Sequence, residues 1–294
     1  MLTIMMFSAL QAGVAGRWDL TVTEGASSYP MWMEILAGPP ASGRLQLRTG
    51  HALPLTEVVI DGNRVRFPMP SEEAAASPAQ FSLTIAGDSL SGEIIQPTGP
   101  KLRISGARAP SLDRAHAPAW GREMDLLARG IAAWRLEDPN GKNNWAIANG
   151  ELVNSERSTN LITRDLFTDF KLHVEVNVPT GGNSGIYLRG RHEVQVEDSY
   201  GKQPWNRGMG GVYGQVTPRS NPAKQAGEWQ TFDITLVGRH VTVVLNGVTI
   251  HDNAEIPGTT GGALDSREAD PGPIMLQGDH GQIRYRNLRI TPAR

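Results

Sequence analysis

The stretch richest in reactive side chains is Asn183-Ser184-Gly185-Ile186-Tyr187-Leu188-Arg189-Gly190-Arg191-His192-Glu193-Val194-Gln195-Val196-Glu197-Asp198. Apolar and polar residues alternate on both sides of Gly190-Arg191, which reads as two strands with one buried face. Ile186, Leu188, Val194 and Val196 take the core. Tyr187, Arg189, Glu193, Gln195 and Glu197 take the other face. If the strands form a hairpin, a two-residue turn at Gly190-Arg191 sets Leu188 beside Glu193. A three-residue loop, Gly190-Arg191-His192, sets Arg189 opposite Glu193 and Tyr187 opposite Gln195. Only the second register keeps apolar beside apolar. It predicts an Arg189–Glu193 pair that holds the carboxyl ionised. A solvated sheet face shows the same alternation, and an exposed Arg–Glu pair contributes at most about 1 kcal/mol. Tyr, Arg and Gln nevertheless suit a sugar: a ring to pack on, and planar donors and acceptors for hydroxyls. The loops at Pro179–Gly182 and Gly208–Gly211 are rich in glycine, which lets backbone approach a ligand.

A second group is Met275-Leu276-Gln277-Gly278-Asp279-His280-Gly281. Gln277 and Asp279 share parity opposite Leu276, and Asp279-His280-Gly281 reads as a turn. An imidazole there titrates near neutrality and can serve as a base. His173 lies on the polar side of another strand and is a weaker candidate. The histidines show no HExxH-type spacing. Trp145 and Trp205 lie in loop-like contexts, where a packed anchor is the expected role and a sugar-stacking platform the alternative.

These groups need a β scaffold. From Phe170 to Val178 strict alternation puts Phe170, Leu172, Val174, Val176 and Val178 on one face. Trp229–Leu236 repeats the scheme. Asn246-Gly247 between two β runs predicts a two-residue hairpin with positive φ at both positions. In the last strand, Ile283 and Tyr285 occupy one parity and Leu288 and Ile290 the other, which predicts a β-bulge at Arg286-Asn287. Leu126, Leu127 and Ile131 fit one short helical turn, limited by Gly130. Residues 17–109 hold eight short alternating segments separated by Gly, Pro, Asn and Asp, the pattern of a small all-β barrel or sandwich. Residues 110–120, rich in Ala and Pro, read as a linker, and 121–294 as the second domain. Residues 1–16 read as a signal remnant or as a disordered tail. A cleaved signal would place the protein in the periplasm or outside the cell, and without one it is expected in the cytoplasm.

Composition narrows the chemistry. The 294 residues are 39% hydrophobic and 20% charged, enough to bury a core in each of two domains. A net charge of -2 gives no basic surplus for nucleic acid. No apolar stretch reaches the roughly 20 residues that span a bilayer. The chain has no cysteine, which excludes disulfides, a thiolate nucleophile and thiolate-bound metal.

Six segments together resemble the 3-keto-disaccharide hydrolase family: EMDLLARGIAAWR, NWAIANGELV, FKLHVEVNVPTGGNSGIYLRGRHEVQVED, GVYGQV, GEWQTFDITLVGRHVTVVLNG and GPIMLQGDHGQIRYRNLRI. They occur in the family's order and cover about residues 120–292. The resemblance implies a concanavalin/LamG-like jelly-roll sandwich, preceded here by the small β domain. It also implies cleavage of glycosides already oxidised to a ketone at C3, in a site made of Asn183, Arg189, Glu193, Gln195, Asp198, Gln277, Asp279 and His280.

A ketone at C3 acidifies the hydrogen at C2. A base can remove it, the C1 oxygen can leave, and water can add back. The steps need a base, an acid for the leaving oxygen and a donor for the enolate oxygen. His280 or Glu193 is the expected base, with Asp198 or Asp279 as its partner or as the acid. Arg189 and Tyr187 join Asn183, Gln195, Gln277 and Asp279 as substrate-binding residues. Arg189, or a divalent ion held by carboxylates and His280, would stabilise the enolate. Oxygen ligands favour Ca, Mg or Mn, and one imidazole admits Zn. No organic cofactor is expected. Two-carboxylate hydrolysis by Glu193 and Glu197 is disfavoured. Four strand residues separate them by about 13 Å, beyond the roughly 5–9.5 Å that such hydrolysis uses. A non-catalytic lectin-like module is the alternative.

Overall fold

The computed structural model describes residues 13–72 and 78–294. Through residue 12, the expected signal remnant or tail lies outside the described residues. Nearly all regular structure is β, and no helix among the described residues is long and apolar enough to cross a membrane. The chain divides into two compact units.

The first unit runs up to Pro110 and includes Gly258–Glu268. Its strands are β1 (Gly16–Glu24), β2 (Ser27–Leu36), β3 (Ser42–Gln46), β4 (Leu53–Pro54) and β5 (Val59–Asp61). They continue as β6 (Arg64–Pro68), β7 (Gln80–Ala86), β8 (Ser89–Ile95) and β9 (Leu102–Arg108). Each of the eight expected segments contributes to a strand. The order is β4-β3-β2-β1-β9-β8-β7-β6-β5, an antiparallel up-and-down sheet in which the last strand returns to pair with the first. One face is the core, with Trp18, Leu20, Met33 and the stacked Phe67–Phe81 pair at 4.8 Å. Gly258–Glu268 is tied to this sheet: Gly262 N donates to Arg48 O at 2.9 Å, and the hydroxyls of Thr21 and Ser266 lie 2.7 Å apart.

The second unit is a two-sheet jelly roll. Its strands begin with β10 (Met124–Asp125), β11 (Trp134–Leu136), β12 (Trp145–Ala148), β13 (Glu151–Asn154), β14 (Leu161–Thr163) and β15 (Phe170–Asn177). They continue with β16 (Asn183–Leu188), β17 (His192–Glu197), β18 (Trp229–Val237) and β19 (His240–Leu245). The last are β20 (Val248–Glu255), β21 (Met275–Leu276) and β22 (Ile283–Pro292). The larger sheet is β12-β13-β22-β15-β18-β19-β20, with β10 also on β22, and the smaller is β11-β14-β21-β16-β17. Phe170, Leu172, Val174, Val176, Phe232 and Ile234 of the larger sheet share one core with Ile186, Leu188, Val194, Val196 and Leu276 of the smaller.

Local signals explain the joints. Leu245 pairs with Val248, and Asn246 and Gly247 take φ 49° and 81°, the two-residue turn that Asn-Gly favours. The pairing of β15 with β22 slips between His173 and Glu175, and Asn287 takes φ 51°. This is the expected bulge, and it lets Tyr285 and Leu288 both bury. The helical turn differs from the expected one: it covers Ile131–Ala133, after Gly130 at φ 68°, and leaves Leu126 and Leu127 outside it.

Candidate functional site

The β16–β17 hairpin corrects the expected register. Leu188 pairs with His192 and Tyr187 with Glu193, so the three-residue loop is Arg189-Gly190-Arg191. The pairing has moved by two residues. Apolar still meets apolar, as Ile186 with Val194, so alternation alone could not choose between the two. Turn geometry decides: Arg189 and Gly190 both take positive φ, at 54° and 67°. Strand alternation therefore ends at Leu188 and no longer sets the direction of the Arg189 side chain. Its guanidinium donates to Gly238 O at 2.9 Å, and its charge is felt by Asp169. The expected Arg189–Glu193 pair, and the ionised Glu193 it implied, are replaced by a different arrangement.

Glu193 Oε2 instead accepts the hydroxyl of Tyr187 at 3.0 Å, and both side chains are buried. Gly185 makes the room, since a Cβ there would lie 2.2 Å from Glu193 Oε1. Burial pushes the Glu193 carboxyl up to about 8; the Tyr187 hydroxyl opposes the shift and the charge of Asp279 adds to it. A carboxyl held this way is protonated at neutral pH and able to donate. Burial, then the neighbouring Glu193, raise the Tyr187 phenol well above its usual range.

The Gln277–His280 corner joins the same face. Gln277 N donates to Gly185 O at 3.0 Å, and Ser184 Oγ donates to Gln277 O at 2.8 Å. Asp279 lies within 2.6 Å of the His280 ring, Oδ1 to Nδ1. That hydrogen bond holds the Asp279 carboxyl below the usual range, against burial. The His280 ring stays accessible, at 37% side-chain exposure, so it can meet a ligand. Asp279 thus fixes an imidazole, while Glu193, close enough to sense its charge, stays neutral.

The remaining expected residues fall elsewhere or differ in detail. Gln195 is buried beside Glu193 on β17 and spends its amide on Arg207 O and Val196 N. Asp198 accepts from Gly181 N at 2.9 Å and so pins the glycine loop. Asn183 lies opposite Glu197. His173 pairs with Asp233 at 2.7 Å on the larger sheet. Trp145 is a buried anchor, its indole donating to Thr159 O at 2.9 Å, and Trp205 packs on Gly208. Three contributors carried no local sequence signal. Arg157 Nε donates to Asp279 O, Tyr285 hydrogen-bonds Ser184 at 2.7 Å, and Tyr213 N donates to Glu193 O at 3.0 Å. All three act across the fold, where periodicity along one strand has no reach.

Among the described residues no group of three or more His, Asp or Glu could hold a metal ion.

No curated protein matches this chain. Among solved structures, a glycosyl-hydrolase candidate from Parabacteroides distasonis is 28% identical over 66% of this chain and 99% of its own, with a TM-score of 0.49. A second from the same organism is 22% identical over 58% of this chain and 98% of its own, at 0.46. Carbohydrate-binding module CBM66 of Bacillus subtilis is 10% identical over 53% of this chain and 94% of its own, at 0.36. The family model of the 3-keto-alpha-glucoside-1,2-lyase-like domain matches residues 128–291. That match takes in most of the jelly roll and more than half of the chain, which therefore belongs to the 3-keto-alpha-glucoside-1,2-lyase-like family.

Proposed function

We propose that the jelly roll cleaves glycosides whose sugar carries a ketone at C3, by elimination across C1–C2 followed by hydration. One arrangement carries this reading: Glu193 is buried against the Tyr187 hydroxyl at 3.0 Å and pushed up to about 8, while Asp279, 2.6 Å from the His280 ring, is held below its usual range. Such a split separates an acid from a base in one site. His280, oriented by Asp279, takes the proton from C2, and the electron pair passes to the C3 carbonyl as an enolate. The enolate collapses to a C1–C2 double bond and the C1–O bond breaks. Glu193 gives its proton to the leaving oxygen. Water then adds its hydroxyl to C1 and a proton returns to C2, so the net change is hydrolysis. The acid and base are two different groups, and neither step needs a covalent nucleophile. Asn183 and Gln277 line the same face and offer amides to sugar hydroxyls, while Gln195 holds the Arg207 loop beside them.

The test is release of a chromogenic group from a 3-keto-glucoside, run in deuterated water. Release with deuterium appearing at C2 supports elimination. Release with no deuterium at C2 contradicts it. Binding without release favours the lectin-like alternative.

A further inference from the structure

We propose that Glu197, with Asn183 and Gln277, forms an acceptor ledge around Gly185 that reads hydrogens donated by the substrate's sugar hydroxyls. The inference rests on the reaction proposed above for the choice of sugar, and extends it to a residue with no role there. Asn183 faces Glu197 across β16–β17, and Gly185 stands beside Gln277 across β16–β21. Residues directly opposite share a face, so all four lie on the face that carries Tyr187 and Glu193. Asn183 Oδ1, Glu197 Oε2 and Gln277 Oε1 are buried and accept no hydrogen bond from the described residues. Buried oxygens are normally satisfied, and three such atoms on one face ask for a donor from outside the chain. Glu197 shows the asymmetry most clearly. Its other oxygen, Oε1, accepts from Lys202 Nζ at 3.2 Å, which fixes the carboxyl while the buried Oε2 accepts nothing from the described residues.

Gly185 sets the proton donor among these acceptors: it has no side chain, and the Glu193 carboxyl takes the space that a Cβ would fill. A set of unmet acceptors around a proton donor fits a polyhydroxylated ring, whose hydroxyls each bring a hydrogen. It does not fit an anion, which would bring further acceptors. Specificity is then for donated hydrogens: a site built around unmet polar atoms rejects analogues that leave them unmet.

The experiment compares wild type, Glu197→Leu and Glu197→Gln on 3-keto-glucosides carrying hydroxyl, hydrogen, methoxy or fluorine at one ring position at a time. Wild type is expected to lose roughly 10- to 100-fold in kcat/KM at the read position for all three replacements. Fluorine fails with hydrogen, because it accepts but does not donate. Glu197→Leu is expected to lose a similar factor on the hydroxyl substrate and to become indifferent to the replacement, while Glu197→Gln, which keeps one acceptor, recovers part of the loss. Tm is recorded for each variant, and a ledge residue changes selectivity without lowering Tm. Calorimetric binding of the unoxidised glucoside, which cannot eliminate, separates the two ideas. If wild type cleaves and Glu197→Leu matches it on every analogue, the ledge is overturned and the reaction stands. If wild type does not cleave, yet binds the glucoside and loses it in Glu197→Leu, the reaction is overturned and the ledge stands. If wild type neither cleaves nor binds, both are overturned.

Discussion

The two sheets of the jelly roll each turn a polar face away from their shared core, and they satisfy that polarity in opposite ways. On the larger sheet the polar side chains are paired with one another near water. His173 meets Asp233, Arg284 meets Glu151, and Arg286 with Asn287 holds Glu175. Burial raises the Glu175 carboxyl, but Asn287 and Arg286 outweigh it and leave the group below its usual range. On the smaller sheet Tyr187, Glu193 and Gln195 are buried, and burial raises the Glu193 carboxyl to about 8, which keeps it neutral. The difference teaches that alternation marks which face is polar, whereas burial decides what that polarity can do. An exposed ion pair is worth little to stability. A buried neutral acid is costly to ionise and therefore useful in proton transfer.

The contrast can be broken by mutation. The largest expected effect is Glu193→Gln, which keeps the shape and removes the proton: release from a 3-keto-glucoside falls by about 10²- to 10⁴-fold. Glu175→Gln on the other sheet should leave the rate within about twofold of wild type. Equal losses in the two variants would erase the distinction between the faces. Next comes the imidazole pair. His280→Ala should slow release by about 10²-fold, while His173→Ala, with its Asp233 partner on the larger sheet, leaves it unchanged in the same assay.

Gly185→Ala sharpens the comparison at one methyl. The added Cβ meets Glu193 Oε1, so the carboxyl must shift away from Tyr187. Overpacking of this kind costs about 1–3 kcal/mol, read as a lower midpoint in urea. The alkaline limb of the rate profile should move with it, a change that a purely structural glycine would not produce.

The last effect is on stability against pH. Glu193 has a folded value raised above its ordinary 4.5, to about 8. Its contribution is therefore full below about 4.5 and is lost as pH rises through about 8. Wild type should lose stability over that window in urea titrations, and Glu193→Gln should be flatter across it. A wild type whose urea midpoint stays constant over the window would argue that the carboxyl is already ionised.

Much of the scaffold was legible in the residues because its signals are local. The alternation of Phe170–Val178, the Asn246-Gly247 turn and the parity switch at Arg286-Asn287 each depend on a few neighbours in the chain, and each appears in the fold. The site was legible in part. Glu193, Gln195, Gln277 and Asp279 do belong to one region of the smaller sheet and the corner that joins it. The register was not legible, because two hairpins two residues apart satisfy the same alternation, and the left-handed Arg189 carries no signature that separates them. Nor was the protonation of Glu193. That depends first on burial and then on the charge of Asp279, from nearly ninety residues further along the chain, which together outweigh the Tyr187 hydroxyl.

The most direct measurement is a carbon-13 titration of the Glu193 carboxyl, assigned by its loss in Glu193→Gln. The account predicts a midpoint near 8, with release from the 3-keto-glucoside declining over the same range. A midpoint in the ordinary carboxylate range would contradict it, since Glu193 would then be ionised at neutral pH with no proton to give the leaving oxygen.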